Sequence, residues 1–328
     1  MSAPKPTLAV EDLCTYFFTK SGVVKAVDKV SFEIGAGEVL GLVGESGSGK
    51  TVTGFSIVGL IDQPGRIVSG SIRYKGEELI GASEERLRHI RGNRIAMIFQ
   101  DPTMTLNPVL RIDTQLVEAI TAHSDTDART AWEQSRDALG QVGIPSPEER
   151  LKCYPHELSG GMRQRVAIAI AFLNKPNLII ADEPTTALDV TIQAQIIYEA
   201  QTLCRKTGTA LLWITHDLAV VAGLADRICV MYAGRIVEEG GADNVIDRPL
   251  HPYTAGLIGS VPSHNRRGKR LAQIPGSTPS LLNLPEGCAF RTRCKFNDDT
   301  CLEEPEVTHP AKDRSLRCFH PVSRGPAP

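Results

Sequence analysis

The chain has 328 residues, 41% of them hydrophobic and 23% charged, with a formal net charge of −2 at pH 7. Those values suit one large or two modest globular domains, and the near-neutral balance argues against nucleic acid as a main partner, since such binders carry a basic excess. No apolar run reaches the ~18 residues of a membrane helix: the best candidate, Ala210 to Ala225, is broken by His216 and Asp217, and the N-terminus lacks a signal-type apolar stretch. A cytosolic protein is expected, reaching a membrane only as a docked peripheral subunit.

To about Tyr74 the sequence reads as β-rich, with strands at Leu8–Val10, Val30–Ile34 and Val39–Val43 and a turn at Gly35-Ala-Gly37. Leu40–Val43, Leu178–Ala181 and Leu211–Ile214 are short continuous apolar runs ending in polar or glycine residues. Such runs fit parallel strands buried on both faces, with function at their C-terminal ends. Helices are expected after each: Lys50–Leu60, Val190–Arg205 and Leu218–Ala225. The alternation defines an α/β core. Between about Thr103 and Lys175 the periodicity turns helical (Asp113–Ala122, Thr126–Val142, Met162–Leu173), as for an inserted helical subdomain. After His251-Pro-Tyr-Thr254 the periodicity fades and prolines accumulate. That tail can bury little core of its own, which is where a metal staple becomes useful.

Three segments carry chemistry. Gly44-Glu45-Ser46-Gly47-Ser48-Gly49-Lys50-Thr51 is G-x-x-x-x-G-K-[ST], placed between a buried strand and a helix. In such a loop backbone N–H groups turn around an anion, the lysine neutralises phosphate charge and the hydroxyl ligates Mg²⁺. Leu178-Ile-Ile-Ala-Asp182-Glu183 is an apolar strand delivering two carboxylates, Asp182 towards Mg²⁺ and Glu183 towards the attacking water. Leu158-Ser159-Gly160-Gly161-Met162-Arg163-Gln164, a Ser-Gly-Gly turn opening a helix, is a second anion-binding device. One nucleotide does not need two, so two such units are expected to face each other, each completing the other's site. Gln100 could contact Mg²⁺ and the water, and His216 could fix water and γ-phosphate by hydrogen bonds.

The order of phosphate loop, Gln100, Leu158–Gln164, Asp182-Glu183, Ala187-Leu-Asp189 and His216 resembles the ATP-binding subunits of ABC transporters over about residues 8–250. The resemblance implies a P-loop ATPase core with an N-terminal antiparallel β-subdomain and an inserted helical subdomain. It implies that Phe17 stacks on adenine, with Tyr16 and Phe18 as competitors. It also implies that Ser159, Gly161 and Gln164 bind the γ-phosphate held by the partner and that Asp189 couples the two sites. Met162 stands where the commonest version of the signature has Gln. Gln100-Asp-Pro-Thr-Met-Thr-Leu-Asn-Pro108, Tyr154-Pro-His-Glu-Leu-Ser-Gly-Gly-Met162 and His251-Pro-Tyr-Thr254 are similar to the oligopeptide/dipeptide/nickel importer branch. That branch implies a second, non-identical ATPase subunit, two membrane permease subunits docked around Arg88–Leu110, an extracytoplasmic binding protein acting indirectly, and a place on the cytoplasmic face of the inner membrane.

The domains expected are residues 1–250, ATP-binding with a helical subdomain at about 103–175, and 251–328, a C-terminal extension. The extension carries Cys288-x5-Cys294-x6-Cys301-x16-Cys318, without the paired C-x-x-C of common zinc ribbons. Four thiolates suit Zn²⁺ or an iron–sulfur cluster, and free packed thiols are the remaining reading. The branch resemblance favours a [4Fe–4S] cluster in a structural role. The basic run Arg266-Arg-Gly-Lys-Arg270 reads as a solvated linker. Two rival readings of the whole chain are a soluble ABC-type ATPase acting on nucleic acid or ribosomes, and a small-molecule kinase in which the Ser-Gly-Gly turn would have no purpose.

Overall fold

The computed structural model describes residues 5–185, 190–260 and 273–322. In chain order these form β1 (Leu8–Thr19), β2 (Gly22–Ile34), β3 (Val39–Val43), α1 (Lys50–Ile57), β4 (Gly65–Tyr74), β5 (Glu77–Glu78) and α2 (Glu84–Ile90). Then come β6 (Ile95–Ile98), α3 (Ile112–Thr121), α4 (Ala128–Gln141), α5 (Pro147–Leu151), α6 (Gly160–Leu173), β7 (Leu178–Asp182) and α7 (Val190–Thr207). The remainder is β8 (Ala210–Thr215), α8 (Leu218–Ala222), β9 (Arg227–Tyr232), β10 (Arg235–Gly241), α9 (Ala242–Asp247), α10 (Pro252–Ser260), β11 (Thr308–Ala311) and β12 (Arg314–Leu316). Among the described residues no helix is long and apolar enough to cross a membrane.

The chain forms two compact units, the first comprising Met1–Leu8, Ile34–Glu38 and Gly81–Leu212. In it β6 and β7 pair in parallel, Ile95 opposite Leu178 through Ile98 opposite Ala181. Every residue of β7 is buried, as a strand covered on both faces must be. Helices α3, α4, α5 and α6 pack on one another, and α6 also reaches β6. The capping logic is local: Asp127 accepts from the N–H groups of Arg129 and Thr130 at 3.1 Å, and Ser159 accepts from Met162 N–H at 3.3 Å. Where α6 meets α7, the Arg165 guanidinium donates to both carboxylate oxygens of Glu199, at 2.6 and 2.8 Å, and to the Val142 carbonyl.

The second unit comprises Ala9–Glu33, Val39–Ile80 and Trp213–Pro328. Its strands lie in the order β11-β12-β10-β9-β3, beside a separate four-stranded sheet β2-β1-β4-β5. Strand β3 pairs in parallel with β9, Leu40 opposite Arg227 through Val43 opposite Val230. Its Gly41 is packed so closely that a Cβ there would lie 2.2 Å from Val221. The loop-rich tail does more than decorate the surface, because β12 extends the sheet by pairing antiparallel with β10, Glu238 opposite Leu316.

Several boundaries differ from the sequence reading. Strand β1 runs to Thr19 rather than stopping at Val10, because Asp12 takes a left-handed φ of 45° and the strand resumes at Leu13. Helix α1 ends at Ile57 rather than Leu60, since Gly59 adopts φ 66° and terminates it in the left-handed manner usual for glycine. Helix α8 stops at Ala222 rather than Ala225, with Gly223 as its C-cap at φ −94°.

The Arg165–Glu199 pair, with side chains 7% and 13% exposed, generates a test. Removing one partner leaves an uncompensated buried charge, so Glu199→Ala should destabilise the protein by about 3 kcal/mol. The double replacement Arg165→Met with Glu199→Leu should cost much less. Urea-denaturation midpoints of the two variants check this; equal losses would contradict it.

Candidate functional site

The phosphate loop lies in the second unit, between the end of β3 at Val43 and the start of α1 at Lys50. Its backbone geometry demands glycine. Gly49 has φ 104°, and a Cβ there would fall 2.1 Å from the Ala26 carbonyl oxygen; at Gly44 it would fall 2.2 Å from that of Met231. Ser46 and Gly47 are exposed at the tip, whereas Ser48, Gly49 and Lys50 are buried. Lys50 Nζ donates to the carbonyls of Gly44 and Glu45 at 2.8 and 3.0 Å, so the ammonium is held on its own loop. Thr51 follows in the first turn of α1, where the positive end of the helix dipole favours an anion.

The aromatic expectation concerns β1. Thr15 Oγ1 lies 2.8 Å from Ser56 Oγ of α1, which turns the Leu13, Thr15, Phe17 face of the strand towards the phosphate-loop helix. Phe17 is half-buried on that face, and Gly65 leaves room for its ring, as a Cβ there would meet Phe17 Cε1 at 2.6 Å. Its competitors are engaged elsewhere. Tyr16 donates to Asp28 Oδ1 at 2.8 Å, and Phe18 carries the Arg66 guanidinium 4.2 Å from its ring centre.

In the first unit, β6 and β7 bring Gln100 and Glu183 together, with Gln100 Nε2 donating to Glu183 Oε2 at 3.5 Å. Asp182 is 2% exposed at the tip of β7. Glu183 holds φ 44°, a left-handed conformation that costs a non-glycine residue about 1–3 kcal/mol and tends to occur where function requires it. Ser159 and Gly160 are exposed at the N-terminus of α6, while Gln164 is 2% exposed on its buried side. Asp189 lies outside the described residues, as does the Arg266–Arg270 run. In the second unit His216 is exposed just after β8, and Asp217 caps α8 through Ala219 N–H at 2.8 Å.

Sequence reasoning missed the residues that hold the phosphate loop. Glu45 donates its N–H to the Tyr253 hydroxyl at 2.8 Å. Its carboxylate accepts from Arg293 at 2.6 and 3.0 Å and from Thr278 Oγ1 at 2.7 Å. The Arg293 guanidinium beside it holds the Glu45 carboxyl below the usual carboxylate range. The His251-Pro-Tyr-Thr motif supplies Tyr253. Leu250 and His251 N–H donate to Glu238 at 2.7 and 2.9 Å, and Tyr253 N–H donates to His251 Nδ1 at 3.0 Å. The motif was legible as a signature, but nothing local in it indicates a contact to residue 45.

The four tail thiols share one neighbourhood. Burial raises Cys288 and Cys294 above the ordinary thiol range and pushes Cys318 up to about 12, and the charges of the other cysteines add to each shift. Among the described residues, the group whose ligand atoms all lie within 4.8 Å of one another is Asp298, Cys301 and His320. Four thiolates on one Zn²⁺ would stand about 3.8 Å apart, given Zn–S bonds of ~2.3 Å. Four thiols are a donor set that both Zn²⁺ and an iron–sulfur centre accept.

A glycine loop between a buried parallel strand and a helix, a strand-end carboxylate pair and a serine-capped glycine turn define a P-loop ATPase of the ATP-binding-cassette class. The solved dimeric structure of a post-hydrolysis state of the ATP-binding cassette MJ0796 bound to ADP and Pi has this fold, with TM-score 0.65 at 24% identity, covering 72% of this chain and 98% of that one. Residues 27–186 match the ABC transporter family and residues 237–301 the C-terminal region of oligopeptide/dipeptide transporters. The oligopeptide transport ATP-binding protein OppD of Escherichia coli (strain K12) is 47% identical over 96% of this chain and 93% of its own length. The dipeptide transport ATP-binding protein DppD of the same organism is 46% identical over 96% and 97%. The chain belongs to this family, the ATP-binding proteins of oligopeptide and dipeptide ABC transporters, and is an ATPase subunit.

The buried His251, 1% exposed, sets a pH dependence. Burial lowers its pKa to about 3, so the folded state excludes a proton that the unfolded chain takes up. Stability from this group should therefore fall as pH drops below about 6.5, by about 1.4 kcal/mol per pH unit. His251→Asn, which preserves an acceptor for Tyr253 N–H, should flatten that slope; denaturation at pH 7.5 and 5.5 measures it, and an unchanged slope would contradict the assignment.

Proposed function

We propose that this chain powers import of peptides or similar small solutes by an ABC transporter, paired with a second, non-identical ATPase subunit beneath two membrane permease subunits. The extracytoplasmic binding protein would act on it indirectly, and the chain would work at the cytoplasmic face of the inner membrane. The observation that carries this reading is the pair of anion-binding devices in one chain, the phosphate loop and the exposed Ser159–Gly160 start of α6. The names of the relatives extend it to peptides. Residues 1–250 are taken as the ATP-binding domain and 251–328 as its extension.

In this reading the phosphate loop from Gly44 to Thr51 and the Lys50 ammonium hold the phosphates of ATP, and Phe17 lies against adenine. Thr51, Gln100 and Asp182 offer the hard oxygen donors that suit Mg²⁺, which supplies charge neutralisation of the transferred phosphoryl group. Glu183, oriented by Gln100, takes the proton of the attacking water, and His216 fixes the water and γ-phosphate by hydrogen bonds. Ser159 and Gly161 serve the nucleotide of the paired subunit, and Asp189 links the two sites. Gln164, buried behind them, would contribute to that nucleotide only after α6 shifts. In the assembled complex Glu183→Gln should retain ATP binding while turnover falls about 100-fold or more. Undiminished ATPase activity would reject the role.

The neighbouring Cys288, Cys294, Cys301 and Cys318 fit a [4Fe–4S] centre, which would supply a structural staple for a tail with little core. Burial raises Cys288, Cys294 and Cys318 above the ordinary thiol range, so loading would release protons. Anaerobic purification should give about four iron and four sulfide per chain. A colourless, zinc-containing protein would overturn this assignment.

A further inference from the structure

The second residue of the phosphate loop is gripped by side chains more than 200 positions further along the chain. The Arg293 guanidinium meets the Glu45 carboxylate through two nitrogens, at 2.6 and 3.0 Å, a fork that fixes direction as well as distance. Arg293 is itself immobilised. It is 4% exposed, its Nε donates to the Pro275 carbonyl at 2.9 Å, and it sits 5.8 and 5.9 Å from the ring centres of Tyr232 and Phe290. Phe290 packs in turn on Tyr253, ring centres 5.5 Å apart, and Tyr253 accepts the Glu45 N–H. The same Glu45 presents its carbonyl to Lys50 Nζ at 3.0 Å.

A buried ion pair adds little net stability compared with apolar packing, so its physical effect lies in specifying geometry. Here the specified residue belongs to the anion-binding loop and carries a negative charge that, unneutralised, would repel a triphosphate. We propose that Arg293, with Tyr253 and Thr278, is a positioning residue for nucleotide binding: the tail braces the phosphate loop through Glu45 and cancels its charge. This rests on the reading of residues 44–51 as the ATP site. Arg293 lies in the turn between Cys288 and Cys294, where Arg293 N–H donates to the Phe290 carbonyl at 2.9 Å, so the cysteine segment sets where the brace stands.

Equilibrium ATP binding to the full chain, with KM and kcat in the assembled complex, tests the brace. Arg293→Met should weaken ATP binding and raise KM about tenfold with kcat largely kept, because a charge-assisted fork is lost while Glu183 is untouched. Arg293→Lys, which retains charge without the fork, should fall between. Glu45→Gln should be milder than Arg293→Met, and adding it to Arg293→Met should restore part of the loss, since no carboxylate is then left unpaired. A purely structural role would lower the unfolding midpoint and leave KM alone, and that result would overturn the proposal. Additive losses in the double variant would overturn it as well. Should Arg293→Met fail to fold, wild-type KM values in both Arg293→Lys and Glu45→Gln would have the same force. Lys50→Ala separates the two levels. If it binds ATP like wild type, the nucleotide assignment and the brace fall together; if it does not, and Arg293→Met does, only the brace falls.

Discussion

A loop that turns backbone N–H groups towards an anion has few of them left to hold itself closed; here Ser48 N–H donates to the Glu45 carbonyl at 3.2 Å. Its shape must be imposed from outside, and much of the second unit is arranged to do so. The Ala26 and Met231 carbonyls stand where any Cβ on Gly49 or Gly44 would have to be. Gly234 N–H donates to the Ser48 carbonyl at 2.9 Å, pinning the loop to the β9–β10 turn. Lys50 closes it from within and Glu45 is tied from the tail. The pairing of β3 with β9 then sets the height at which the loop leaves the sheet.

The first unit solves a different problem by simpler means. Ser159 needs only its own helix, with its oxygen capping α6 and the exposed first turn left to present N–H groups. Gln100 and Glu183 need only adjacent strands, since the parallel register of β6 and β7 ends both near the same level. Local rules suffice there, which is why the sequence reading came close. The run Leu178–Ala181 becomes β7 with one residue added, and Met162–Leu173 becomes α6 with two.

Elsewhere the information is not local. The strand pattern at Leu8 breaks at Glu11-Asp12, and only the backbone shows that a left-handed residue lets the strand continue. The three residues of β12 and the wholly exposed β11 carry no alternation to read; the edge of β10 makes them strands. Arg293 looks like any basic residue among prolines and cysteines until the fold sets it against Glu45. The cysteine spacing could be read as a metal-ligand set, but Asp298 and His320 beside Cys301 had no signal at all.

The separation of 248 positions between Glu45 and Arg293 has a meaning for synthesis. At ribosomal rates of ~5–20 residues per second, the loop leaves the ribosome about 10–50 s before its last support does. Even β9, its parallel neighbour, begins only at Arg227. Until those supports emerge the nascent chain carries the complete phosphate-binding sequence without the walls that shape it. Nucleotide can act as a folding partner only once those supports have emerged.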